Sequence, residues 1–148
     1  MLRKLFIGTL AGAALVVSSS AFAQGTAAEA KAMLEKAVAA VKADKTKAIA
    51  SFNAGTDGFK DRDLYPFCIN VSDGIIVAGP QTVRGKDART LKDASGGAYG
   101  EDIYKAAQTE KITEVSYMFP KPGATEPSAK VSFVTKAGDV GCGVGYYK

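Results

Sequence analysis

Residues 65–80, "YPFCINVSDGIIVAGP", decide how the rest of the chain is read. Phe67, Cys68, Ile69 and Val71 form one apolar arm, Asp73-Gly74 a two-residue turn, and Ile75, Ile76 and Val77 the return, which together predict a β-hairpin. Pro80 has no N–H to offer a ladder and ends the second arm. One cysteine of the chain's two lies inside the first arm.

On the N-terminal side, "TAAEAKAMLEKAVAAVKAD" places Ala30, Met33, Leu34, Ala37, Val38 and Val41 at three- and four-residue spacings, the stripe of an amphipathic helix. Thr26 and Glu29 have the spacing of a capping box. A second, shorter helix follows in "DKTKAIASFNAG", started by Asp44 and ended by Gly55. The stripe reads most simply as a packing face, with a partner-binding helix as the alternative. "TDGFKDRD" then reads as a polar loop, because Asp57, Asp61 and Asp63 lack the spacing of a calcium-binding loop.

On the C-terminal side, residues 81–100 are rich in Gly and Asp with little periodicity. They predict a long connection with at most a short helix around residues 89–92. "EDIYKAAQTEK" predicts a helix with Glu101 and Asp102 at its start and Lys111 near its end. Three strands follow. "ITEVSYMFP" puts Val115, Tyr117 and Phe119 on one face, and "AKVSFVTKAG" sets Val131, Phe133 and Thr135 against Lys130, Ser132, Val134 and Lys136. "VGCGVGYYK" is a final strand whose small residues let another backbone or a ligand come close. This order predicts an α+β domain with an antiparallel sheet of about five strands and its helices gathered on one side.

The first residues speak to compartment. Arg3 and Lys4 precede the apolar run "LFIGTLAGAALVV", and Ala21-Phe22-Ala23 is a small-x-small site, so residues 1–23 read as a signal peptide cleaved after Ala23. The run is shorter than the roughly 20 residues that cross a bilayer, so no stable membrane span remains after processing. The chain from Gln24, about 125 residues, is one domain. Removing Arg3 and Lys4 from the 19 basic residues leaves 17 against 15 acidic ones. Scattered lysines at that balance do not make a nucleic-acid footprint. For an exported chain, Cys68 and Cys142 read as a disulfide closing a loop of about 75 residues, worth on the order of 4 kcal/mol in the chain-entropy account. A metal pair or a reactive thiol is the alternative, disfavoured because the chain has no histidine and no CxxC.

Absent histidine also removes the Ser-His-Asp and Cys-His schemes and haem attachment through CxxCH. "SGGAYG" and "GCGVG" lack the strand-to-helix setting of nucleotide loops. The sequence therefore points to binding without catalysis, cofactor or metal. Tyr99, Tyr117, Phe119, Lys130, Phe133 and Lys136 flank the long connection, and an aromatic pocket with a fixed cation suits a small carboxylate. On periodicity alone the opposite reading is favoured, with Phe119 and Phe133 as core and the lysines solvated.

"DLYPFCINVSDGIIVAGP", "RGKDARTLKDASGGAYG", "EVSYMFPKP" and "AKVSFVTKAGDVGCGVGYY" resemble, in order and spacing, the single-Cache family of extracytoplasmic sensor domains over residues 63–147. The resemblance implies a PAS-like fold: a long N-terminal helix on one sheet face, and a ligand pocket on the other, roofed by the long connection and short helix. Residues 24–54 would supply the helices and 63–148 the sheet and pocket. The first and last strands would be neighbours, which would let Cys68 and Cys142 bridge them. Tyr117 and Phe119 match the family's aromatic pair before a proline, here Pro120. Lys130 and Phe133 match its Lys-x-x-aromatic block, although tyrosine is usual where Phe133 stands, and Gly79 replaces a frequent histidine. The implied protein is a free-standing periplasmic or secreted binder of a small molecule, such as a short organic acid, with a membrane receptor or sensor kinase as its partner. The alternative is a structural or protein-interaction module with a collapsed pocket.

Overall fold

The computed structural model describes residues 23–148. All of the expected signal peptide except Ala23 lies outside the described residues. Helix α1 (Ala27–Ala43) starts at the expected capping box: Thr26 accepts from the Glu29 N–H, and the Glu29 carboxylate accepts from the Thr26 N–H at 2.8 Å. Asp44 caps α2 (Lys45–Ala54) through the Lys47 N–H, and Gly55 ends it in the left-handed region. Strand β1 (Pro66–Asn70) and strand β2 (Ile76–Ala78) follow, then a 3-10 turn (Ala88–Thr90) and α3 (Tyr99–Ala106). Strands β3 (Thr113–Pro120), β4 (Pro127–Ala137) and β5 (Val140–Tyr147) complete one antiparallel sheet in the order β2-β1-β5-β4-β3.

The deciding hairpin forms, but its turn is longer than expected. The Asn70 N–H donates to the Ile75 carbonyl and the Gly74 N–H to the Asn70 carbonyl. Four residues, 71–74, thus make the turn, with only Gly74 at positive φ (77°). A two-residue hairpin turn needs φ > 0 at its first central position, which Gly138 supplies and Asp73 does not. Instead the Asp73 carboxylate accepts from the Ile75 N–H. The tight two-residue turn lies at Gly138-Asp139, between the paired residues Ala137 and Val140.

Two further expectations are corrected. Helix α3 begins at Tyr99 and ends at Ala106, so Lys111 falls beyond it. It also lies on the sheet face opposite α1 and α2, as the family resemblance implies, so the helices are not gathered on one side. Covering both faces has a consequence for β4, which is buried without a break from Lys130 to Thr135. One side of β4 sends Phe133 into a core with Leu34, Ala37, Phe52, Cys142 and Val144 beneath α1 and α2. The other sends Val134 into a core with Ile69, Ile103, Val115 and Tyr117 beneath α3. Each large apolar side chain so buried contributes roughly 1.5–3 kcal/mol.

Cys68 and Cys142 are directly paired in the β1–β5 ladder and form a disulfide on the α1 side. The glycines of β5 allow close approach on the other side. A Cβ at Gly141 would stand 2.6 Å from the Cα of Ala107 and 2.7 Å from its carbonyl, at the end of α3. A Cβ at Gly143 would run into the Phe67 ring, and one at Gly145 into Lys130 Cε and Ser132 Oγ. Among the described residues no helix is long and apolar enough to cross a membrane.

Candidate ligand pocket

The α3 side of the sheet holds the pocket, and strand register assembles it. Lys130 on β4 lies opposite Tyr117 on β3 and Tyr147 on β5, so the three side chains leave the sheet together. Gly145 gives the aliphatic stem of Lys130 a place to lie. Tyr65, one residue before β1, accepts a 2.9 Å hydrogen bond from Lys130 Nζ. Four rings surround that nitrogen: Tyr65 at 4.5 Å, Phe119 at 5.1 Å, Tyr147 at 5.2 Å and Tyr117 at 6.0 Å.

The roof is aromatic as well. Tyr99, the first residue of α3, stacks on Tyr117 with ring centres 4.6 Å apart, and Phe119 meets both edge-on. A Cβ at Gly100 would collide with the Ala88 carbonyl, so the 3-10 turn can press directly on the start of α3. Phe67, Ile69, Ile76, Val83, Leu91 and Ile103 close the remaining walls. Together they line a cavity of about 40 Å³. A water needs roughly 10–15 Å³ by this measure, so about three waters, or one carboxylate, fill it.

Electrostatics single out Lys130, which is 2% exposed and the one charged residue lining the cavity. Burial pushes its ammonium down to about 7, while the Asp63 carboxylate acts in the opposite direction. Desolvation wins because the one opposing charge, on Asp63, is the smaller influence. The surrounding phenols supply no countercharge, since burial raises Tyr65 and Tyr117 and pushes Tyr147 up to about 12. Tyr117 shares a 2.9 Å hydrogen bond with Ser132, and Tyr147 donates to the Pro120 carbonyl at 2.7 Å. An ammonium has three N–H donors and Lys130 uses one within the protein. Asp63 receives the Gly25 N–H on Oδ1, and its buried Oδ2 has no hydrogen-bond partner.

Of the residues singled out from sequence, Tyr99, Tyr117, Phe119 and Lys130 line this one cavity. Phe133 does not. It points to the opposite face, into the core beneath α1 and α2, with its ring 5.9 Å from Tyr146. The spacing from Lys130 to Phe133 is three residues, and in a strand an odd spacing places side chains on opposite faces. Tyr65 and Tyr147 were missed. The legible signal for Tyr147 was its place at the end of the alternating Gly141, Gly143, Gly145 series, which puts it on the pocket face. Lys136 is half-buried and outside the cavity. Among the described residues no group of three or more His, Cys, Asp or Glu could hold a metal ion.

A five-stranded antiparallel sheet with a long helix on one face and a roofed pocket on the other defines a PAS-like domain. The Cache domain family profile (dCache_2) matches residues 29–145, and the chain belongs to that family as a single Cache domain. Cache domains are extracytoplasmic sensor modules. Among solved structures the chain is similar to a methyl-accepting chemotaxis protein from Vibrio parahaemolyticus RIMD 2210633, at 23% identity and TM-score 0.65, covering 81% of this chain and 86% of that one. It is also similar to a periplasmic sensor domain of a chemotaxis protein, at 23% identity and TM-score 0.60 over 80% and 87% of the two chains. A third is a Cache chemosensory domain solved for carboxylic acid recognition, at 22% identity and TM-score 0.60 over 80% and 85%. Among curated proteins none matches.

Proposed function

We propose that this protein is an exported, sensor-type binding domain that takes a short organic acid and performs no chemistry on it. The observation that carries the reading is the Lys130 ammonium, buried in an aromatic cavity with one hydrogen bond from three donors. A carboxylate there would supply the missing acceptors and countercharge in a low-dielectric setting, where charge-assisted hydrogen bonds are strongest. No carboxylate or histidine lines the cavity to act with Lys130 as an acid–base pair. The similarity to a domain solved for carboxylic acid recognition is in keeping with this ligand class.

In this reading residues 1–23 are a signal peptide, residues 24–148 the single domain, and the protein works in the periplasm or outside the cell. It presents its ligand to a membrane receptor or sensor kinase. Tyr65 and Tyr147 join Tyr99, Tyr117, Phe119 and Lys130 as the ligand-binding set, and Phe133 is left out. A thermal-shift screen of residues 24–148 against short carboxylates, amino acids, purines and amines tests the function. A rise of several degrees is expected with carboxylates alone, equivalent to about 1 kcal/mol or more for a domain of this size.

The second reading is a protein-interaction module with a filled pocket, and the small cavity with Tyr99 stacked on Tyr117 favours it. A flat response across the whole panel selects that reading.

A further inference from the structure

The space around Lys130 continues past its rings. Tyr65, Pro80 and Phe119 line the cavity and also line a second, open concavity of about 540 Å³, bounded by the end of α2, residues 79–84 and the β3–β4 turn. Tyr65 is the hydrogen-bond partner of Lys130 Nζ, and the Phe119 ring lies 5.1 Å from it. The pocket ammonium is therefore one side chain away from this groove.

Charge in the groove has one sign. Lys60, Arg84 and Lys121 line it, and no carboxylate does. None of the three takes part in the ion pairs found among the described residues. Arg84 is held in place by two hydrogen bonds to the Gly79 carbonyl, at 3.2 and 2.9 Å from Nε and Nη2, which leave three of its five N–H donors for another partner. The inner cavity, at about 40 Å³, has room for a carboxylate and little more. A longer ligand anchored at Lys130 that leaves past the shared Tyr65, Pro80 and Phe119 then meets the three cations.

We propose that the groove is the outer half of the ligand site, and that the ligand is an elongated dianion with one carboxylate at Lys130 and a second carboxylate among Lys60, Arg84 and Lys121. This rests on the reading of the inner cavity as an organic-acid site. A cleft lined by one sign of charge also concentrates anions at its mouth, an effect that falls with ionic strength.

The test is calorimetric titration of residues 24–148 with acid pairs of equal carbon number, butyrate against succinate and hexanoate against adipate. At low salt at least one diacid binds about tenfold or more tightly than its monoacid. That advantage shrinks with added salt and drops below about threefold when Lys60→Gln, Arg84→Gln and Lys121→Gln are combined, with circular dichroism reporting the fold. Should the combined variant fail to fold, Lys121→Gln alone and the salt series of the unaltered chain carry the test, and a diacid advantage insensitive to both overturns the proposal. Equal binding of monoacids and diacids overturns it while leaving the organic-acid reading intact, and no binding by any acid overturns both.

Discussion

Lys130 carries the sharpest conflict in the molecule: an ammonium 2% exposed, ringed by four aromatic side chains and hydrogen-bonded to one of them. Burial brings it down to about 7 from an ordinary value of 10.5. Between those values the unfolded chain binds more protons than the folded one, so this group makes the ligand-free domain more stable as pH rises from about 7 to about 10.5. Below about 7 the cost of burying the charge is fully present. An anion binds the protonated lysine, so its affinity falls as pH rises through about 7, approaching tenfold per unit, and binding above that pH takes up close to one proton. Titrations in two buffers of different ionisation enthalpy read that proton directly. Asp63→Asn removes the one carboxylate that opposes the shift, and the pH profile of binding should move to lower pH.

Among the elements, β5 shows how closely the pocket depends on absent side chains. Gly141 faces the end of α3, where the obstructing atoms are the backbone of Ala107, and Gly145 faces the flexible stem of Lys130. Backbone cannot step aside, whereas a lysine stem can. Gly141→Ala should therefore destabilise the domain by about 1–3 kcal/mol or more, seen as a lowered denaturation midpoint. Gly145→Ala should cost less stability and more ligand affinity. Equal effects of the two on both measurements would contradict this assignment. The close approach was legible in "VGCGVGYYK" as a series of small residues, but the partners on it were not, because they come from α3 and β4, far along the chain. The same limit explains Phe133: its resemblance to a ligand position was read from a motif, while the two-residue period of the strand, equally visible, placed it away from Lys130. The hairpin of residues 65–80 was legible as two strands, and its turn was misread because Asp73 does not adopt the positive φ that the tight turn requires.

For the whole molecule, the Cys68–Cys142 disulfide ties the first strand to the last across 74 residues of chain, on the face away from the pocket. Both sulfurs lie in a fully buried pair under α1, so alkylation of the native protein without reduction should label neither. Replacing both cysteines with alanine should lower stability by about 2–4 kcal/mol, read as a shift in denaturant midpoint with the fold retained. The α+β architecture and the position of α1 were legible because capping residues, apolar period and turn glycines agree along the first helices and the last three strands. The location of α3 was not legible from its own sequence, since a short amphipathic helix has one apolar face whichever side of the sheet it covers.

In the proposed function Lys130 holds an organic acid inside this aromatic cavity. The most direct measurement is calorimetric titration, below pH 7, of residues 24–148 and of the Lys130→Met variant with the best carboxylate from the thermal screen. Met keeps the stem over Gly145 and removes the charge, so the account predicts an unchanged or higher melting temperature together with more than about tenfold loss of affinity. A Lys130→Met variant that binds the acid as tightly as the unaltered chain would contradict it.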